Sequence, residues 1–75
     1  MPSIEFSRSE LTLLAINTSS SALRAEKEGR LTSAVGLYNI AARLWGAAGK
    51  LDMAAANLAA ANNAINAANA AAAGE

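Results

Sequence analysis

Apolar residues in this chain recur at spacings of three and four, and one stretch of the pattern is used twice. Gly29, Leu31, Ala34, Tyr38 and Ala41 stand twenty residues ahead of Gly49, Leu51, Ala54, Leu58 and Ala61. Glycine, large apolar, alanine, large apolar and alanine thus return at the same offsets. Spacings of three and four predict helix. Each glycine is expected in a left-handed turn that closes one helix, with the alanines at points where two helix backbones come close. The pattern predicts an all-α protein, a three-helix antiparallel bundle with helices near residues 9–28, 32–46 and 51–70.

The detail of each helix follows from the same pattern. Residues 1–8 read as an N-terminal arm in which Ile4 and Phe6 alternate with polar neighbours. Helix 1 is expected to start near Ser7 or Ser9, because Ser7 and Glu10 have capping-box spacing. Asn17, Thr18, Ser19, Ser20 and Ser21 place five poor helix formers at its middle, which leaves open whether the helix kinks or breaks there. Helix 2 is expected from Thr32 or Ser33 to about Trp45; its apolar positions exceed one stripe, which predicts a central, doubly contacted helix. Helix 3 is expected to begin at Asp52 as its cap. Its seam of Leu51, Ala54, Leu58, Ala61, Ile65, Ala68 and Ala72 alternates large and small side chains, which favours close helix approach. The domain proper spans 9–70, with 71–75 as a frayed tail.

Composition changes this picture in one respect. Of the 75 residues, 53% are hydrophobic, but alanine supplies 21 of them, and alanine buries little area. A domain of this size gathers roughly 3–5 kcal/mol from one core, and an alanine core should supply less. A homodimer or higher oligomer, or an obligate protein complex, is therefore expected. Six acidic and six basic side chains cancel, so no net field draws the chain to nucleic acid or an anionic membrane. Arg24, Lys27, Arg30, Arg43 and Lys50 are interleaved with Glu26 and Glu28 and read as a solvated face. Met53 to Ala73 carries no charge. Even so, its asparagines and its 13 alanines argue for an alanine-rich helix outside the membrane rather than a span. Glu5, Arg8 and Glu10 interrupt the apolar run a signal peptide needs, and the absence of cysteine suits a reducing cytoplasm.

No enzyme is expected. With no histidine, no cysteine and one aspartate, the chain has no activated nucleophile, acid–base pair, metal-ligand set or cofactor site. Function must then come from surfaces. Leu13, Ile16, Ser20 and Leu23 form one stripe of helix 1, and Leu11, Leu14, Thr18, Ala22 and Ala25 another. A small bundle buries one stripe, and the first is the candidate partner or dimer face, with extra core as the competing reading. Trp45 stands between partner anchor and core; Tyr38 reads as core.

Two resemblances follow from the repeated pattern. Lys27 to Ala34, with Tyr38 and Ala41, resembles the turn and second helix of a tetratricopeptide-type repeat, which implies tetratricopeptide-like helix hairpins and protein binding. Ala22 to Ala42 is similar to the small AraC negative regulator family of enteric bacteria and their phages. That resemblance implies a cytoplasmic adaptor that binds a transcription regulator, an AraC-type activator or a nucleoid protein, and blocks its dimerisation or DNA contact. The expected function is a small protein-binding regulator or inhibitor. The alternative is a structural protein that self-assembles through its alanine- and asparagine-rich third helix.

Overall fold

A computed structural model describes residues 5–74; Met1 to Ile4 and Glu75, and with them the first half of the expected arm and the end of the tail, lie outside the described residues. Three helices follow one another, α1 Arg8–Lys27, α2 Leu31–Ala47 and α3 Leu51–Ala73. The chain is an all-α three-helix bundle.

Ser7 sets the start of α1. Its Oγ accepts the Glu10 N–H at 3.1 Å while its own N–H donates to Glu10 Oε1 at 2.9 Å, so two otherwise orphaned amides satisfy each other's residue. The Ser7 backbone N–H, and after it the Ser7 hydroxyl, hold the Glu10 carboxyl below the usual carboxylate range.

The two turns are the same structure built twice. In the first, Arg30 N–H donates to Ala25 O at 2.8 Å and Gly29 N–H to Glu26 O at 3.1 Å. In the second, Lys50 N–H donates to Trp45 O at 2.8 Å and Gly49 N–H to Gly46 O at 3.0 Å. Both glycines are left-handed, at φ 80° and 82°, a region that other residues enter only at a cost. The carbonyls of Arg30 and Lys50 then accept the N–H of Ala34 and Ala54, each at 3.0 Å. One residue therefore ends each turn and begins the next helix. This corrects one expected start and one expected cap: α2 opens at Leu31 and not at Thr32 or Ser33, and α3, which opens at Leu51, is capped by Lys50 and not by Asp52. Asp52 lies inside the first turn of α3, where its charge still complements the helix dipole.

Two points that the sequence leaves open are resolved by the structure. α1 is continuous through Asn17 to Ser21, because Ser19 spends its hydroxyl on neighbouring helices and not on its own backbone. α3 runs past residue 70 to Ala73, since its last residues are alanine, the best helix former, and Gly74 N–H closes on Ala70 O at 3.0 Å.

Packing is alanine on alanine. Ala22 and Ala25 from late α1 meet Ala34 and Tyr38 from early α2 and Ala61 from α3. Ala15 meets Ala41 and Trp45 from late α2, with Leu44 and Ala54 against them. The reversed order of these contacts makes neighbouring helices antiparallel. α1 and α3 each pack chiefly on α2, so α2 is the central, doubly contacted helix. Among the described residues, no large side chain is fully enclosed.

The expected seam of α3 is rotated. Ala61 is buried and Ala54 and Ala68 half-buried, but Leu58, expected as a packing residue beside them, is 50% exposed, and Leu51 and Ile65 are exposed with it. Tyr38 and Trp45 already occupy the space on the α2 side, packing against Ala61 and Ala54 respectively, and this leaves room there only for small residues.

Candidate functional site

α1 presents the expected face. Leu13, Ile16, Ser20 and Leu23 recur at three and four residues and are all exposed, the three large ones by 46–61%. The residues of α1 that are buried, Ala15, Ala22 and Ala25, lie on the other side of the helix. The large apolar side chains of this stripe therefore contribute little to the bundle that their helix belongs to.

Trp45 does not join them. It is 6% exposed and sits in the core, and its Nε1–H donates to Ser19 Oγ at 3.0 Å. The Ser19 hydroxyl in turn donates to Asn57 Oδ1 at 3.2 Å, and Asn57 Nδ2 donates to the Met53 carbonyl at 2.8 Å. One residue from each helix thus meets in a polar chain. Among the described residues, no buried side-chain nitrogen or oxygen lacks a partner. Interlocking side chains normally fix how far one helix slides along another; smooth alanine surfaces offer little of that, and directional hydrogen bonds supply it instead.

A second polar contact clamps α1 to α2. The Tyr38 hydroxyl donates to Glu26 Oε1 at 2.8 Å. Burial, the hydrogen bond to Glu26 and the negative charge of Glu26 together push the phenol up to about 12. By contrast Arg30 and Glu28, 2.6 Å apart, form an exposed pair within one turn, which is worth little.

Ser19 and Asn57 are the site residues that the sequence reading missed. A signal was present: Asn57 falls between Ala54 and Ala61, and Ser19 between Ala15 and Ala22, each at the spacing of three and four that defines the alanine faces. A polar residue in a small-residue stripe is placed to bond across it.

Two open depressions of about 460 and 430 Å³ flank the second turn, the first lined by Arg8, Ser9, Thr12, Ala48, Gly49 and Lys50. No family model, curated protein or solved structure matches the chain. Among the described residues no cluster of acidic side chains could hold a metal ion, and no helix is long and apolar enough to cross a membrane.

Proposed function

We propose that this chain is a small protein-binding module that regulates or inhibits a larger bacterial protein, and that it docks through the outer face of α1. The observation that carries this reading is the division of labour within α1. Its buried positions are alanine, while Leu13, Ile16 and Leu23 face solvent, and an apolar stripe on a helix is the usual element laid into a partner's groove. The similarity of Ala22 to Ala42 to the AraC negative regulators, and of the turns to tetratricopeptide hairpins, supports a cytoplasmic adaptor whose partner is an AraC-type transcription activator.

The test is titration calorimetry of the chain against a purified AraC-type activator. The wild-type chain should bind. Ile16→Asp should not, while retaining its helical circular dichroism, because burying an uncompensated carboxylate at an interface is strongly unfavourable and a solvated one costs little. A wild-type chain that ignores the activator overturns the regulator reading, and an Ile16→Asp chain that still binds moves the docking face elsewhere. The second reading, a self-assembling structural protein, is favoured by the exposed Leu51, Leu58 and Ile65 of α3. It requires large assemblies at high protein concentration, where a regulator stops at a dimer.

A further inference from the structure

The twenty-residue repeat gives the α3 surface a specific meaning. In α2, Ala34 and Ala41 share clusters with alanines of the preceding helix, and Tyr38 and Trp45, which bond to Glu26 and Ser19 of that helix, also share those clusters with Ala61 and Ala54 of the following one. Moved twenty residues on, the same positions in α3 are Ala54 and Ala61 for the alanines and Leu58 and Ile65 for the aromatics. Ala61 and Ala54 do pack on the preceding helix, α2. Leu58 and Ile65 would then face a neighbouring helix, and none of the described helices covers them. Together with Leu51 they are exposed by 50, 39 and 72%, whereas Tyr38 and Trp45, their counterparts, are each 6% exposed.

We propose that this uncovered face packs on α3 of a second copy, antiparallel across a two-fold axis near residue 60. Two features select this occupant. First, α3 carries no charged side chain from Met53 to Ala73, so two copies meet without like-charge contact, whereas α1 bears Arg24, Glu26 and Lys27 near its end. Second, the face is self-complementary. Antiparallel alignment about residue 60 sets Leu51 opposite the partner's Asn69, Leu58 opposite the partner's Asn62 and Ile65 opposite the partner's Ala55, so each large residue meets a smaller one, as an isologous contact requires.

Covering Asn62 and Asn69 has a precedent within the chain. Asn57, buried and linked to Trp45 through Ser19, directs its Nδ2 to the carbonyl four residues earlier while its Oδ1 accepts from Ser19, and Asn62 and Asn69 have the Leu58 and Ile65 carbonyls at the same offset for their Nδ2. A two-fold contact of this kind closes at two copies. It does not depend on the activator-binding reading, which uses α1.

Sedimentation equilibrium across about a hundredfold range of concentration tests the contact directly. Wild-type chain should pass from monomer to dimer and no further. Leu58→Glu should remain monomeric with unchanged helical circular dichroism, glutamate being a good helix former at a half-exposed position, and Ile16→Asp should dimerise like wild type. Leu51→Glu, at the most exposed of the three, repeats the test should Leu58→Glu fail to fold. Spin labels on Ala59→Cys and Ala70→Cys report orientation: with about 1.5 Å rise per residue, residue 70 and its copy lie roughly 30 Å apart along the axis, and residue 59 and its copy within roughly 3 Å. A monomeric wild type, assemblies beyond the dimer, a dimeric Leu58→Glu or Leu51→Glu chain, or equal label distances would each overturn the proposal.

Discussion

Replacing Ser19 by alanine removes one oxygen and breaks the polar chain that links all three helices. The hydroxyl is the acceptor for Trp45 Nε1–H at 3.0 Å and the donor to Asn57 Oδ1 at 3.2 Å, and both of those partners are 6% exposed. Each lost neutral hydrogen bond is worth about 0.5–1.5 kcal/mol, and a buried group left unpaired raises the cost to about 1–3 kcal/mol. Alanine returns roughly half a kcal/mol through its better helix propensity in α1. The expected net loss is about 2 kcal/mol, which for a domain of this size lowers the melting temperature by roughly 8–16 °C. Urea unfolding followed by the fluorescence of Trp45, the only tryptophan, measures it. A cycle with Asn57→Ala should show coupling of about 0.5 kcal/mol or more. A Ser19→Ala chain as stable as wild type, or additive single mutants, would refute the claim that this polar chain fixes the helix register.

Gly29→Ala should cost about 1 kcal/mol, entirely from its left-handed φ of 80°, because a methyl group added there meets nothing within 4 Å; denaturant midpoints measure it. Ala41→Leu, at a position with no exposure between Ala15 and Trp45, should overpack the helix crossing and cost about 1–3 kcal/mol in thermal unfolding. The Tyr38 phenol, raised from its ordinary value of 10.0 to about 12, contributes stability that is complete below pH 10 and is lost as pH rises through about 12. Ultraviolet titration of the single tyrosine should show that displaced midpoint, and Glu26→Gln should lower it.

The helices and turns were legible in the sequence because they rest on local chemistry. A glycine repeated at twenty residues, a serine three residues before a glutamate, and apolar spacings of three and four each act within one or two turns of chain. The placement of Leu58 was not legible. Heptad spacing says that Leu58 and Ala61 share a side of α3, but which of them meets α2 depends on how much space Tyr38 and Trp45 already fill, a fact of three dimensions. The same gap hid Ser19. Read locally it is a poor helix former in a run of five; across the bundle it is the bridge between Trp45 and Asn57. Leu13, Ile16 and Leu23 were recognisable as a surplus stripe because one helix cannot turn two faces inward, and Trp45 was ambiguous because a tryptophan suits an interface and a core equally well.

A core made of alanine also alters the calorimetry of the fold. The heat capacity change on unfolding arises from newly hydrated apolar area, about 12–15 cal/mol/K per residue in ordinary domains. Here Leu13, Leu51 and Leu58 are already largely wetted in the folded chain, and Ala15, Ala22, Ala25, Ala34 and Ala41 release only a methyl group each. Unfolding of the monomer should fall below that range, with a broad, flat stability curve and a shallow dependence on denaturant. Association would restore the missing curvature, so the heat capacity of unfolding should rise with protein concentration.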